Sequence, residues 1–319
     1  MTRISDDIFD MVIIGGGPAG LTAGLYAARG RVKAVLLESM TVMGQVTMTD
    51  AVENYPGVEK VSGFDIISRF RSQAENFGLK CQADTVREIT SRLENDIPVW
   101  DIRCDEGKLS ALSVVIASGA SPKKLDIPGE KDFTGRGVSY CATCDGPFFR
   151  GKKVVVIGGG DTAVEEALYL TRFAENVTII HRRDRLRATR ILQERAFAEK
   201  KINFIWEAVA ESITGADKVG KITVKNVKTG KNSDVLCDGI FIFTGWEPNT
   251  GFVRDLIKTE KDGSIAVDAE MRTSARGIFA AGDCTKKLLH QIITACGDGA
   301  TAAFAAQRYV DEIKGVAYK

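Results

Sequence analysis

The sequence predicts an α/β protein built from two layered domains of one type, the second inserted into the first. Three observations predict it. A strand, a glycine-rich turn and an alanine-rich helix follow one another twice, near residues 9–29 and 153–173. After each copy comes a twisted β stretch with turn signals, residues 81–109 and 203–235, and then a buried strand closing on a glycine. The length of 319 residues suits about two full-sized cores.

The first copy opens with Phe9–Ile14, whose short apolar, β-branched run reads as a buried strand. Gly15, Gly17 and Gly20 follow in G-x-G-x-x-G spacing, then a helix from Leu21 to about Arg29 and a strand Lys33–Leu37 that ends at Glu38. The second copy runs from the strand Lys153–Ile157 through Gly158, Gly160 and Ala163, spaced G-x-G-x-x-A, into a helix to about Phe173. Its next strand, Val177–Ile180, ends at His181. The first glycine allows a tight turn, the second lets backbone approach a pyrophosphate, and the third position must be small for helix-on-strand packing. Backbone N–H groups and the positive helix end then hold phosphate. Glycines punctuate many turns, but here each fingerprint has its strand before and its helix after. The expected architecture is a pair of Rossmann-like three-layer (ββα) dinucleotide-binding domains.

The strand-end residues separate the two ligands. Glu38 lies 23 positions after Gly15, where a carboxylate accepts hydrogen bonds from ribose hydroxyls. The same offset from Gly158 reaches His181, followed by Arg182, Arg183 and Arg187. A carboxylate there would repel a 2′-phosphate, whereas guanidinium groups bind it with forked donors. The first site reads as FAD and the second as NADPH; the alternative for the basic run is a solvated face.

The later strands, Val114–Gly119 and Ile240–Gly245, place the glycine-to-glycine distances at 104 and 87 residues and make 120–125 and 245–249 the natural crossings. The predicted division is 1–119 and 248–319 for an FAD-binding domain, with 120–247 as an inserted NADPH-binding domain. Near the end, the strand Gly277–Ala281 closes on Gly282-Asp283, and Thr294–Gly299 leads into a helix toward Tyr309. Asp283 is placed to bond a flavin's ribityl chain, or else is a turn residue capping a helix.

Composition narrows the function classes. Forty-three basic against 42 acidic side chains leave a net charge of +1, which speaks against nucleic acid or a membrane surface as partner. No apolar run approaches a membrane span of roughly 18 residues, and Met1–Asp10 carries no signal-peptide pattern. The seven cysteines are scattered apart from one pair, unlike a secreted disulfide framework, so a reducing cytosol is expected. That pair, Cys141-Ala142-Thr143-Cys144, stands seven residues before Gly151 and the second fingerprint. Two thiols at this spacing can close a disulfide and take up two electrons. Half a zinc site looks the same, although zinc needs two more ligands and only His181, His290 and scattered cysteines are on offer.

These residues together resemble the low-molecular-weight thioredoxin reductases, the bacterial and archaeal type within the pyridine nucleotide–disulphide oxidoreductases. The resemblance runs from about Asp10 to the C-terminus. It rests on GGGPAG at Gly15–Gly20, which includes Pro18 and Ala19, GQ at Gly44–Gln45, ENYPG at Glu53–Gly57, and CATCDG at Cys141–Gly146. GGGDTA at Gly158–Ala163, which includes Asp161 and Thr162, HRRDRLRA at His181–Ala188 and AAGDC at Ala280–Cys284 complete it. The resemblance implies electron flow from NADPH through FAD to a Cys141–Cys144 disulfide and on to thioredoxin or a thioredoxin-like protein, in a cytoplasmic homodimer. It makes Cys144 the thiol that faces the flavin, Cys141 the interchange thiol and Asp145 the acid that protonates the departing thiolate. Asp145 is otherwise a turn residue in Asp-Gly-Pro. Gln45, Asn54, Asp283 and Gln291 match flavin contacts, and the inserted domain is expected to rotate on its two crossings.

Two positions depart from the pattern: His290 stands where the family often has arginine, and Trp246 follows the strand-end glycine. Cys81, Cys104, Cys237, Cys284 and Cys296 match no catalytic thiol and read as buried small hydrophobes. A ferredoxin-linked reductase of the same fold would have a degenerate second fingerprint, and here it is intact. A peroxiredoxin reductase would need an additional N-terminal relay domain. From a different class, a non-catalytic redox sensor or zinc module would bind no flavin.

Overall fold

Alternation along the strands builds both cores. The computed structural model describes residues 7–39, 44–49, 52–94 and 97–317, which divide into two units: Met1–Ser121 with Glu247–Lys319, and Pro122–Trp246.

In the first unit the parallel strands Lys80–Ala83, Ala34–Glu38, Phe9–Ile14 and Lys108–Ile116 lie side by side in that order. Successive side chains of a strand point to opposite faces. Met11, Ile13, Leu36, Val115 and Phe279 therefore pack on one side, and Val12, Ile14, Val35, Leu37, Val114 and Ile116 on the other. Both sides are covered, which is why these strands are continuously apolar. The first side carries the helices Pro18–Arg29, Gly63–Asn76 and Ile292–Lys314. The other carries the antiparallel hairpin Val86–Glu94 and Ile97–Cys104. Strand Lys108–Ile116 joins the layers: its start pairs antiparallel with the hairpin and its end pairs parallel with Ile278–Ala280.

The second unit repeats the plan. Its parallel sheet runs Ile202–Trp206, Asn176–His181, Lys153–Gly158, Gly239–Phe243 and Val138–Ser139. Val154, Val156, Val177, Ile179 and Phe241 face the helices Asp161–Leu170 and Arg190–Ala198. Val155, Ile157, Ile180, Ile240 and Ile242 face a three-stranded antiparallel sheet, Ala208–Gly215, Val219–Asn226 and Asn232–Leu236. Each unit is thus helix layer, parallel sheet and antiparallel layer, the expected three-layer α/β class.

One expectation is corrected. Thr294–Gly299 does not lead into the last helix but lies within it, because the helix starts at Ile292. Gln291 and Thr294 form a reciprocal capping box that sets this start. Gly297 and Gly299 stay helical, and a Cβ on Gly299 would collide with the carbonyl of Ala19, so this glycine permits close approach of the helix Pro18–Arg29.

Candidate functional site

The first glycine turn forms the floor of a pocket of about 410 Å³ that lies within the first unit. Strand Phe9–Ile14 ends at Gly15, whose φ of +114° lets its N–H reach Leu37 O at 2.8 Å. A Cβ on Gly20 would collide with the Gly15 carbonyl, so this residue supports the turn from below and does not line the pocket. Gly17 is extended and nothing lies within 4 Å of where its Cβ would be, which leaves its backbone open to a ligand. Gly15, Gly17, Pro18 and Ala19 line the pocket beside Glu38. Gly44, Gln45, Gly282, Asp283 and Gln291 line it as well. Asn54 lies behind, donating from Nδ2 to Gln291 Oε1 at 2.9 Å.

The pocket also uses residues without a sequence signal. Ser118 and Asn249 bond to each other's backbone carbonyls, at 2.8 and 3.1 Å, and both line it, as does Phe252. Asp84, 7% exposed, accepts from the N–H groups of Thr85, Asp105 and Glu106 and shapes a pocket wall. The spacing of a motif would not reveal them, because they are brought together by chain closure alone. Arg71 on helix Gly63–Asn76 bonds Glu38 Oε2 and holds that carboxylate beside Gly16.

A dinucleotide fits this donor set. Asp283 Oδ1 is buried and accepts no hydrogen bond, although His290 Nδ1 lies 3.5 Å away. An orphaned buried carboxylate oxygen is costly unless a donor such as a hydroxyl meets it. Gln45 donates from Nε2 to Ala120 O, which turns its amide into the pocket wall.

The second turn has the same backbone and different neighbours. A Cβ on Gly158 would meet the Phe243 carbonyl and the Ala163 methyl, so Ala163 is the small residue under the turn. Gly160 is extended and open, with only Arg187 Nη2 at 4.0 Å from its Cβ direction. Asp161 and Thr162, both half-buried, begin helix Asp161–Leu170. His181 is 5% exposed and its ring lies against Gly159. Burial, then the charge of Arg187 and those of Arg182 and Arg183, hold its pKa below the ordinary value. Its Nε2 has no hydrogen-bond partner. Arg182, Arg183 and Arg187 are exposed, and among the described residues none has a carboxylate partner. The Arg187 guanidinium beside an open glycine turn, with those of Arg182 and Arg183 on the same loop, suits an anion.

Cys141 and Cys144 are joined as a disulfide with Cα atoms 5.4 Å apart. The sulfurs bind each other, as a two-electron redox pair does. Cys141 is the extended N-cap of the short helix Ala142–Asp145, and its Sγ accepts from Cys144 N–H at 3.1 Å. Ser139 Oγ bonds both backbone groups of Cys141 and sets its conformation. Cys144 is exposed, Cys141 and Asp145 partly so, and the Asp145 N–H reaches Cys141 O at 3.2 Å. The other thiols are held protonated. Cys104, Cys237, Cys284 and Cys296 are buried and Cys81 half-buried. Burial pushes Cys237 up to about 12 and Cys104 and Cys284 up to about 11. His290 and Trp246 are both exposed. No helix among the described residues is long and apolar enough to cross a membrane.

Comparison with known proteins follows the same lines. The pyridine nucleotide–disulphide oxidoreductase family model matches residues 9–299. The thioredoxin reductase of Peptoclostridium litorale is 44% identical over 315 residues, covering 97% of this chain and 99% of that protein. The thioredoxin reductase of Bacillus subtilis is 43% identical over 310 residues, 97% of each. The crystal structure of Lactococcus lactis thioredoxin reductase in its FR conformation is 48% identical, covers 95% of this chain and 99% of that one, and superposes with a TM-score of 0.91. An open dinucleotide turn in each unit, a disulfide in the second and these matches along nearly the whole length lead to one conclusion: the chain belongs to the pyridine nucleotide–disulphide oxidoreductase family, among its thioredoxin reductases.

Proposed function

We propose that this oxidoreductase is an NADPH-dependent, FAD-containing thioredoxin-disulfide reductase, passing electrons to the Cys141–Cys144 pair and on to thioredoxin or a thioredoxin-like protein. The observation that carries the reading is the Cys141–Cys144 disulfide on the same unit as a glycine turn faced by unpaired arginines. FAD, when bound, supplies the two-electron relay between a nicotinamide and a disulfide.

The chain's own residues then have these roles. The open backbone of Gly15–Ala19, supported by Gly20, receives pyrophosphate, Glu38 takes ribose hydroxyls, and Asp283 Oδ1 takes a ribityl hydroxyl. Gly44, Gln45, Asn54, Gly282 and Gln291 complete the flavin site. Gly158, Gly160, Asp161, Thr162 and Ala163 form the NADPH turn, with His181, Arg182, Arg183 and Arg187 around the 2′-phosphate. In the reduced enzyme the Cys141 thiolate attacks one sulfur of the partner's disulfide, forming a mixed disulfide and expelling the other partner sulfur as thiolate, which Asp145 protonates. Cys144 then attacks Cys141 Sγ. That step re-forms the Cys141–Cys144 bond and releases the second partner thiolate. The reading carries with it a cytoplasmic homodimer; scattered, mostly buried thiols suit a reducing compartment.

The test is direct. Purified protein is expected to be yellow, to bleach anaerobically with NADPH, and to reduce thioredoxin from the same organism. A colourless protein, or a yellow one that oxidises NADPH with artificial acceptors but leaves every thioredoxin and glutaredoxin-like protein oxidised, overturns it.

A further inference from the structure

We propose that Asp161 is a positioning residue that sets the preference for NADPH over NADH, by locking the arginine-bearing loop onto the glycine turn. The proposal rests on the NADPH reading of the second turn. Residues 182–189 run from the strand end at His181 to the helix Arg190–Ala198. Three hydrogen bonds stitch this loop to the turn. Arg187 N–H and Ala188 N–H both reach Gly159 O, at 2.6 and 3.2 Å. Thr189 N–H reaches Asp161 Oδ1 at 2.6 Å. Leu186 and Ala188 anchor the loop below, 5% and 4% exposed.

Among the described residues the guanidinium groups of Arg182, Arg183 and Arg187 have no carboxylate to orient them, so the loop backbone decides where they point. Two of the three stitches are backbone to backbone and survive any side-chain change other than to proline. The third is Asp161, and it alone among the stitches depends on a side chain. A carboxylate is also a poor direct ligand for phosphate, since like charges repel. One of its two oxygens already accepts from Thr189 N–H. Asp161 therefore contributes by placing the arginines, and its effect belongs to the 2′-phosphate, which NADPH has and NADH lacks.

The test separates this bond from the charge of Asp161, which would also favour a helix N-terminus. Asp161→Ala removes the acceptor. Asp161→Asn keeps an acceptor oxygen and loses the charge. Thr189→Pro removes the donor while leaving Asp161 intact; the φ of −59° at this position suits proline. Asp161→Ala and Thr189→Pro are each expected to lower the kcat/KM ratio of NADPH to NADH about tenfold, chiefly through KM for NADPH. Asp161→Asn should retain most of the ratio, and the double variant Asp161→Ala with Thr189→Pro should be no worse than either alone. Calorimetric binding of 2′,5′-ADP against 5′-AMP gives the same comparison without turnover: the former should weaken about tenfold in Thr189→Pro and the latter should not.

The outcomes are distinguishable. A wild-type enzyme without preference for NADPH removes the underlying reading. A wild-type preference that survives Asp161→Ala and Thr189→Pro overturns the proposal. So does equal loss for both nucleotides, or an Asp161→Asn variant as impaired as Asp161→Ala.

Discussion

Glu130 offers the sharpest test of how the second unit is held together. It is 3% exposed, yet its carboxylate is fully engaged. Oε1 accepts from Leu125 N–H at 2.9 Å and Tyr140 O–H at 2.6 Å, and Oε2 accepts from Asp126 N–H at 2.6 Å. Leu125 and Asp126 belong to the segment that enters the second unit, and Tyr140 directly precedes Cys141. One buried carboxylate thus joins the entry segment to the redox pair. It also steadies Asp126, whose φ of +55° is unfavourable for a non-glycine residue. Burial first, then the bond and charge of Glu130, push the Tyr140 phenol well above its ordinary value, so it remains a donor. Tyr140→Phe removes one bond to a charged acceptor, worth about 1.5–3 kcal/mol, and partial exposure places it at the lower end. Glu130→Ala leaves three donors without an acceptor at about 1–3 kcal/mol each, and non-additivity brings the total to about 3–5 kcal/mol. Urea unfolding at unchanged m reads the global cost. Hydrogen exchange at Leu125 and Asp126 reads the local one, and should accelerate roughly tenfold or more. A loss below about 1 kcal/mol in Glu130→Ala would refute the reasoning. Equal effects of Tyr140→Phe in the wild-type and Glu130→Ala backgrounds would also do so, since the coupling energy would then be zero.

Other consequences are simpler to measure. Cys144→Ser should keep its flavin and its NADPH oxidation by artificial acceptors while losing disulfide reductase activity; full thioredoxin reduction by this variant would contradict the pairing of roles. Replacing Arg182 and Arg183 together by alanine should narrow the NADPH-over-NADH preference about a hundredfold, at the low end for two charge-assisted contacts because both are exposed. An unchanged ratio would mark them as a solvated face. Because the folded state holds His181 below 6.5, it favours the neutral ring, and the unfolded chain binds the extra proton first. Its stabilising contribution is present above that value and is lost as pH falls through the folded-state pKa, with a slope of up to ~1.4 kcal/mol per pH unit. Thermal unfolding between pH 5 and 7.5 should show this slope, flattened in His181→Asn.

Much of the fold was legible locally. Apolar runs such as Phe9–Ile14 and Lys153–Ile157, each closing on spaced glycines, foretold strand, turn and helix twice, because steric needs at a turn depend on a few neighbouring residues. The contrast between Glu38 and the arginines after His181 was equally local, a matter of charge at one strand end. The C-x-x-C spacing was local too, but its meaning was open until the two sulfurs were seen bonded to each other.

Contacts between distant residues were decided only by the tertiary structure. The last helix begins at Ile292 and retains Gly297 and Gly299, against a sequence pattern that suggested a later start, since the Gln291–Thr294 box and the carbonyl of Ala19 settle the matter. Asp84, Ser118 and Asn249 reach the first pocket from separate parts of the chain, and Arg71 meets Glu38 from another element. Asp161 stands at an unspecified position of the G-x-G-x-x-A turn, and one of its carboxylate oxygens accepts from Thr189 N–H, 28 residues on. Sequence determines which groups can turn, bury or carry charge; which donor meets which acceptor depends on chain closure, because hydrogen bonds require distances and angles that only the packed layers impose.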